Sequence, residues 1–341
     1  MVIGLVCPAP CAAQAQRESE ALLPDPEQMA RVEASVDRAL EYLLTQQKAD
    51  GSWPSGFGGD GSNNGVNALC LLAYLGRGHA PGRGPYREVV DRAVRYLLAT
   101  QEDNGLFKSP NNSHGPMYEH ALATLALIEA YGFSPSQDMR GHVQRAVDLI
   151  VKSQNPKGGW RYQPVPKDAD LSVTVMQVVA LRAAINARLD VPEQTMQQAL
   201  SYVKACAVDK GGFAYQPGGG PGPARTAAGI LSMYLLGAFD DPAVGESLAW
   251  MQQRGFRPGG GHFWYMNYYA MQAMFQAGGE HWSGWQREVR AFLLDKQNGD
   301  GSWPAVIDRV KQYNGKSRCY STAMAAISLE VYMHYLPAYQ R

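Results

Sequence analysis

The sequence predicts an all-α fold, an (α/α)6 toroid of six helical hairpins, on the basis of three observations. A helical segment leads through a Gly-rich turn into a second, more apolar helical segment six times along the 341 residues. The first segment of each pair is apolar on one face, whereas the second is apolar nearly all round. Several of the turns also share one residue signature. A repeat of this length determines the architecture before any single residue does.

The shared turn has the pattern Gln-x3-Gly-x-Trp, which recurs three times with the same spacing. Its copies are Gln47-x3-Gly51-Ser52-Trp53, Gln154-x3-Gly158-Gly159-Trp160 and Gln297-x3-Gly301-Ser302-Trp303. A fourth copy has Phe107 in place of Trp, and a fifth has Ala207 in place of Gln. We expect the Gly to end the first helix, the Gln to bind free backbone groups, and the Trp to cover the turn. These turns are therefore predicted to be structural.

The two helices of each hairpin are predicted to form two concentric rings. Outer helices such as Val36-x2-Ala39-Leu40 and Val90-x2-Ala93-Val94 have apolar residues at helical spacing, which is typical of surface helices. Inner helices, for example over residues 121–127 and 173–181, are apolar nearly all round and should be buried on every side. Because the last hairpin repeats the turn of the first, we favour a closed ring with a central cavity. An open solenoid of six hairpins is the alternative.

Composition limits the classes of partner. The 31 basic and 31 acidic residues cancel, which argues against nucleic acid and against an anionic membrane surface as partners. No apolar run beyond the N-terminus approaches the ~18 residues of a transmembrane segment. Since the repeats run almost end to end, residues 31–341 are predicted to form one toroid domain.

The N-terminus resembles a processing segment. An apolar stretch at residues 2–6 precedes Ala13-Gln14-Ala15, a cleavage pattern, although the usual basic start is missing. We interpret residues 1–15 as a truncated signal peptide and residues 16–30 as a polar leader. This predicts a periplasmic or secreted protein, or a cytoplasmic one if the segment is not a signal. The remaining cysteines, which are Cys70, Cys206 and Cys319, are expected to be buried free thiols.

The Gln–Trp turns on helical hairpins resemble the QW motifs of squalene-hopene and oxidosqualene cyclases. The architecture is similar to that of the wider superfamily of terpenoid cyclases and protein prenyltransferases, built on prenyltransferase and squalene oxidase repeats. The resemblance covers about residues 32 to 336. It implies an apolar central cavity for an isoprenoid. It specifies the fold more closely than the reaction, because the motif lies outside the active site.

The resemblance also implies a candidate acid. Cyclases of this class protonate an alkene or epoxide with the middle Asp of an Asp-x-Asp-Asp motif, whose carboxyl must be held protonated. Here Asp168-Ala169-Asp170 matches the first two Asp, which implies Asp170 as the catalytic acid beside Asp168, whereas Leu171 replaces the third. Aligning on Thr174 instead would place Ser172 at the acid position. The alternative is that Asp170 or Ser172 caps the third inner helix.

The N-terminal ends of the inner helices would line the cavity of such a toroid. The candidate cavity residues at these ends are Glu119, His120, Thr174, Arg225, His262, Trp264, Tyr265, Tyr268, Arg318 and Tyr320. Aromatic faces there could stabilise carbocations, or could simply pack the core. Glu119 with His120 could be an acid–base pair, or a polar pair at the start of a helix.

No metal site and no cofactor are predicted. A prenyltransferase zinc site needs Asp, Cys and His on neighbouring inner helices, and no Asp lies two residues before Cys319. The predicted function is that of a terpenoid-cyclase-like protein, an isomerase or lyase if it is an enzyme, that cyclises a squalene-like isoprenoid by acid initiation. One alternative is an exported, non-catalytic toroid that binds a lipid, peptide or protein partner. Another is a carbohydrate-active toroid with Glu119 and Asp170 as its paired carboxylates.

Overall fold

The computed structural model describes residues 25–56, 62–110, 115–259, 262–305 and 317–333, and within them it has twelve α-helices and no strands. The outer helices are α1 (Pro26–Gln46), α3 (Arg87–Ala99), α5 (Gln137–Ser153), α7 (Glu193–Ala205), α9 (Pro242–Arg254) and α11 (Gly279–Lys296). The inner helices are α2 (Asn64–Gly76), α4 (Met117–Phe133), α6 (Leu171–Asn186), α8 (Pro223–Leu235), α10 (Phe263–Ala277) and α12 (Cys319–Glu330). The prediction of six α/α hairpins is confirmed.

The inner helices form a closed ring. Each inner helix packs on the next one along the chain, and α12 packs on α2 to complete the circle. The outer helix α1 also contacts α11 and α12 across the same seam. The toroid is therefore confirmed over the open solenoid.

Burial follows the two kinds of hydrophobic pattern. Every residue of α2 is buried, whereas α1 buries one stripe that includes Val32, Val36, Leu40 and Leu43. An all-round apolar helix can satisfy its surface only between neighbours, and a one-sided helix needs cover on one face. The amphipathic helices accordingly lie outside and the apolar helices inside.

Each Gln of the shared turn links one hairpin to the next. The Gln47 side-chain amide donates to the carbonyl oxygen of Gly51 in its own turn at 3.1 Å and to that of Val89 in α3 at 3.0 Å. The same pair of bonds recurs at the other three copies, which are Gln101, Gln154 and Gln297. The last of them donates to Ser35 of α1 at 2.8 Å, so the turn signature itself closes the ring.

The turn Gly does not end the first helix, so that expectation was wrong. α1 ends at Gln46, and the following Gln47 is already extended with φ −67° and ψ 127°. Gly51 lies further on with φ +91°, and a Cβ there would overlap the carbonyl oxygen of Arg92 in α3. Glycine is needed here both for the left-handed backbone and for this close approach between hairpins.

The turn Trp ties the outer helix to the inner one. Trp53 is fully buried, and its indole N–H donates to the carbonyl oxygen of Leu43 at 2.8 Å. Its main-chain N–H donates to the side chain of Asn67 on α2 at 2.7 Å. Trp160 and Trp303 make the corresponding bonds. The structural role predicted for the Trp is confirmed.

The predicted boundaries shift at the N-terminus. α1 begins at Pro26, where the Asp25 carboxylate accepts from the backbone N–H of Gln28 at 2.9 Å, so the end of the expected polar leader is helical. Residues 1–15 lie outside the described residues, and the signal peptide and the cellular location stay predictions. Among the described helices, none is both long and apolar enough to cross a membrane. The three described cysteines are free and buried, as expected.

A buried carboxyl lies at the far end of α12. Glu330 is 4% exposed, and neither of its carboxyl oxygens has a hydrogen-bond partner among the described residues. Burial raises the pKa of this carboxyl well above its ordinary value, since nearby Arg77 offsets the effect only in part and Asp37 adds to it. Glu330 is therefore uncharged in the folded protein over a wider pH range than in the unfolded chain.

Replacing Glu330 with Gln should flatten the pH dependence of stability. The contribution of a carboxyl with a raised folded-state pKa is fully present below its unfolded pKa and is lost as pH rises toward the folded pKa. The variant should therefore be more stable than the parent at pH 8 and no more stable at pH 4. Urea midpoints across this range measure the difference, with Glu288→Gln on the exposed face of α11 as the control. Parallel curves for parent and variant would contradict a neutral buried Glu330.

Candidate functional site

The centre of the ring holds a cavity of about 1000 Å³. Its walls come mainly from the first two turns of the inner helices, as the resemblance implied. Residues four apart on one helix share a face and therefore form two layers. Tyr118, Ser172 and Tyr320 lie in the upper layer, while Leu122 and its counterparts Leu69, Met176 and Met324 lie one turn deeper. The cavity thus combines a polar, aromatic rim with an apolar floor.

Tyrosines dominate the rim. Tyr118, Tyr162, Tyr215, Tyr265 and Tyr320 all border the cavity. The hydroxyls of Tyr162 and Tyr215 hydrogen-bond to each other, and the rings of Tyr118 and Tyr162 lie 5.9 Å apart. Burial raises the pKa of Tyr118, Tyr215 and Tyr265, so these phenols stay neutral at physiological pH. Their ring faces can attract a cation and their hydroxyls can donate hydrogen bonds.

Among the described residues that border the cavity, Glu119 is the one that carries a carboxyl. It is 3% exposed, and its two oxygens accept from the Asn63 amide at 2.6 Å and from the backbone N–H of Ser109 at 2.8 Å. Burial raises its pKa, and the hydrogen bonds from Ser109, Asn64 and Asn63 offset the rise in part. A carboxyl with this balance can hold a proton and deliver it to the cavity.

Asp170 lies behind the wall and caps α6. Its carboxylate accepts from the backbone N–H of Val173 at 2.9 Å, and its other oxygen is 3.7 Å from Nε of Arg161. Asp170 is fully buried and does not border the cavity, whereas Ser172 does. Burial raises the pKa of Asp170, whereas the hydrogen bonds from Val173 and Tyr215 and the charge of Arg161 lower it. The capping interpretation of Asp170 is therefore the one that the structure shows.

Asp168 is also away from the cavity. Its side chain is 54% exposed and pairs with Arg161, and Gln216 donates to it at 3.4 Å. Of the paired carboxylates expected for a carbohydrate-active enzyme, Glu119 borders the cavity and Asp170 does not.

The candidate cavity residues divide into two groups. Those that border the cavity are Glu119, Arg225, His262, Tyr265 and Tyr320. Those that do not border it are His120, Thr174, Trp264, Tyr268 and Arg318. The side chains of the second group lie outside the cavity wall.

His120 and Thr174 bind the turns instead. The ring Nδ1 of His120 accepts from the backbone N–H of Phe107 at 3.2 Å, and its Nε2 lies 3.1 Å from the carbonyl oxygen of Ala146. Burial lowers the pKa of His120 to about 4, so the imidazole is neutral. The hydroxyl of Thr174 accepts from the backbone N–H of Trp160 at 3.1 Å.

The other three residues of this group pack or form an ion pair outside the cavity wall. Trp264 is 5% exposed and meets the Phe263 ring edge-on at 5.1 Å. Tyr268 is 1% exposed and packs on Tyr269 at 4.8 Å. Arg318 forms an ion pair with Asp300 at 3.3 Å in the last turn.

Sequence reasoning missed four polar residues of the site. Tyr162 and Tyr215 follow the turn aromatic residue by two positions in the third and fourth hairpins, and superposing the repeats would have found them. Arg254 and Arg257 lie where the fifth hairpin passes from α9 to α10. That connection lacks the Gln-x3-Gly-x-Trp spacing, so the repeat pattern carried no register to place them.

Comparison with known proteins places the chain among terpenoid cyclases in fold. The profile of the prenyltransferase alpha-alpha toroid domain matches residues 65–263. A drimenyl diphosphate synthase of Streptomyces showdoensis is 30% identical over 196 residues, which are 57% of this chain and 34% of that protein. A lanosterol synthase of Aspergillus fumigatus is 28% identical over 144 residues, 39% of this chain and 18% of that enzyme. The chain thus spans about a third or less of the length of these relatives.

Solved structures of the same shape include enzymes of two kinds. A variant of the type II terpene cyclase MstE from Scytonema, in complex with merosterolic acid A, aligns with a TM-score of 0.66 and 16% identity over 91% of this chain and 99% of that one. A glycosidase aligns with a TM-score of 0.60 and 14% identity over 92% and 100%. At these identities the likeness concerns the fold alone. The domain match covers more than half of the chain, so the chain belongs to the prenyltransferase α/α toroid family.

Proposed function

We propose that the chain is a terpenoid cyclase that binds an isoprenoid in its central cavity and cyclises it after protonation. The observation that carries the proposal is the pairing of an apolar floor with a rim of neutral tyrosines and a buried carboxyl, Glu119. An isoprenoid chain would be buried among Leu and Met side chains. Tyrosine faces would lie beside the cation that forms. The curated relatives named for terpenoid products support the same class of reaction.

Glu119 is the acid that we favour over Asp170. A general acid must reach the atom that it protonates, and Glu119 borders the cavity whereas Asp170 does not. One oxygen of Asp170 caps α6, so this carboxyl also has a structural role. Asp170 lies next to Tyr215, which borders the cavity, so a proton from Asp170 has a route to the cavity through the Tyr215 hydroxyl. The test therefore includes both carboxyls.

Product analysis tests the proposal. The protein would be incubated with squalene and with linear prenyl substrates, and products would be identified by mass spectrometry. We expect cyclic products from the parent, loss of at least about 100-fold in rate for Glu119→Gln, and a smaller loss for Asp170→Asn. Glu288→Gln on the outer surface should match the parent. Melting temperatures and isoprenoid binding would be measured for each variant, so that unfolding is distinguished from lost chemistry.

Each outcome is informative. Loss of product in Asp170→Asn, with binding and folding retained and Glu119→Gln active, would make Asp170 the acid. Full activity in both variants would reject both carboxyls as proton donors. If isoprenoids bind but none gives a cyclic product, cyclisation is rejected, and the cavity is a binding site without this reaction.

Cyclisation should slow as pH rises. An acid acts only in its protonated form, and burial raises the pKa of Glu119 above its ordinary value. The rate should therefore be highest on the acidic side and fall as pH passes through this raised pKa. A pH–rate profile under single-turnover conditions measures the effect. A rate that instead increases with pH would mean that the reaction needs a deprotonated group, and it would contradict Glu119 as the acid.

A further inference from the structure

Two cysteines meet where the ring closes. Cys70 lies in the second turn of α2, and Cys319 is the first residue of α12. The Cys70 sulfur lies 4.0 Å from the carbonyl oxygen of Cys319, and the two thiols hydrogen-bond to each other. Both residues are fully buried. The fold therefore brings into contact two sulfur atoms that are 249 positions apart in the chain.

This contact occupies a position that the repeat also uses elsewhere in the ring. Between α4 and α6, the side-chain amide of Gln177 donates to the carbonyl oxygen of Met117 at 2.9 Å. Met117 is the first residue of α4, as Cys319 is of α12. Gln177 and Cys70 each lie three residues after the side chain that accepts from the backbone of the turn Trp. The seam thus carries a pair of thiols at a junction that a hydrogen bond joins elsewhere.

The surroundings of the pair favour a structural role over a reactive one. Burial raises the pKa of Cys70 well above its ordinary value, so its sulfur stays a neutral thiol. The hydrogen bond from Cys70 lowers the pKa of Cys319, but that sulfur is just as completely buried. Thiol exchange needs an accessible thiolate, so the folded seam protects both sulfurs. A disulfide carries no charge and needs no hydrogen-bond partner, which suits a buried junction.

We propose that Cys70 and Cys319 form an intrachain disulfide that covalently closes the toroid under oxidising conditions. The proposal goes beyond the proposed function and does not depend on it. Two cysteines can be joined only where their side chains already meet, and these two do. Cys206 belongs to the fourth hairpin, away from the seam, and it should keep its thiol.

Glutathione disulfide is an oxidant of the class that this step needs. While α12 is undocked, the Cys319 thiolate attacks one sulfur of the oxidant, breaks its S–S bond and releases one glutathione thiolate. Docking of α12 brings the Cys70 thiolate onto this mixed disulfide, where it attacks the Cys319 sulfur and releases the second glutathione. Two cysteine thiols are oxidised to one disulfide, and one glutathione disulfide is reduced to two thiols. These thiols take up the two protons that the cysteines lose.

The disulfide would act on both the cavity and the stability of the ring. Leu69 and Tyr320, which adjoin the two cysteines in the chain, both border the cavity. A covalent bond between α2 and α12 would hold these two lining residues at a fixed separation. It would also close a loop across 249 positions, and the entropy that the unfolded chain loses would stabilise the folded toroid.

Refolding the full chain in a redox buffer tests the proposal. Reduced protein would be diluted from urea into a mixture of glutathione and glutathione disulfide, and a matched sample into dithiothreitol. We expect the oxidised product to be lighter by two hydrogen atoms, and peptide mapping to find Cys70 joined to Cys319. Its melting temperature should exceed that of the reduced sample by about 5 °C or more.

Three single variants control for the pairing. Cys206→Ala should form the same disulfide and gain as much in melting temperature as the parent. Cys70→Ala and Cys319→Ala should gain nothing on oxidation, each compared with its own reduced sample. If either fails to fold, the parent compared in its two redox states still decides. The folded, oxidised parent should also be reduced by dithiothreitol at least about tenfold more slowly than in urea, because the seam buries both sulfurs.

Three results would overturn the seam disulfide. The first is a refolded protein in which Cys70 and Cys319 stay free thiols after oxidation. The second is a peptide map that pairs either of them with Cys206, Cys7 or Cys11 instead. The third is a correctly linked product that melts no higher than the reduced sample, which would show that the bond strains the seam and does not secure it.

Discussion

Replacing Gly158 with Ala is expected to destabilise the toroid by about 3–5 kcal/mol. Gly158 has φ +95°, which costs an L-residue about 1–2 kcal/mol. A Cβ there would also overlap the carbonyl oxygen of Gln198 in α7, and a helix backbone cannot move aside as a side chain can. Urea denaturation followed by circular dichroism measures the loss.

Gly82→Ala separates the two causes. Gly82 has φ +76°, but a Cβ there would have no atom within 4 Å. The Gly82→Ala variant should lose only the about 1–2 kcal/mol of unfolding free energy that the left-handed backbone costs an L-residue. Equal losses for the two variants would show that the close approach between hairpins contributes nothing to the effect at Gly158.

Replacing Trp303 with Ala should cost about 3–5 kcal/mol, the usual range for a large buried aromatic residue. Trp303 is fully buried and does not border the cavity. Its indole N–H donates to the carbonyl oxygen of Leu293 at 2.8 Å. The change would leave a void at the sixth hairpin, beside the seam of the ring. The urea midpoint and its slope measure the result.

Trp303→Phe is the matched comparison, because the chain already uses Phe107 and Phe213 at this position. Both are fully buried, so the turn accepts a phenyl ring. The expected loss is about 1–2 kcal/mol, from the unpaired Leu293 carbonyl and a smaller void. A loss as large as that of the Ala variant would assign the stability to the indole hydrogen bond and not to the ring volume.

The sequence was sufficient to predict the fold because hydrophobic period and burial are directly linked. The one-sided pattern of α1 and the all-round pattern of α2 each permit one place in a two-layered ring. The likeness between the first and last turns also predicted that the ring closes. The hydrogen bond from the Gln297 side chain to the Ser35 carbonyl oxygen joins the two ends of the ring.

The site was predicted only in part, because neighbouring residues of a helix point about 100° apart. Glu119 borders the cavity, whereas the next residue, His120, turns away to bind the Phe107 backbone. Polarity at a helix start does not distinguish these two directions. Arg254 and Arg257 were missed for another reason, since they lie at the end of α9 and in the connection after it, which lacks the shared turn signature.

Closure of the ring between α12 and α2 has a consequence for biosynthesis. In an open array each hairpin finds its neighbours as soon as they are made, but here α2 must wait until α12 has emerged from the ribosome. Until then the α2 face that α12 will cover, including Cys70, remains open to water or to other chains. The seam joins residues far apart in sequence, such as Cys70 and Cys319, which are 249 positions apart, so its formation should be a slow step of folding.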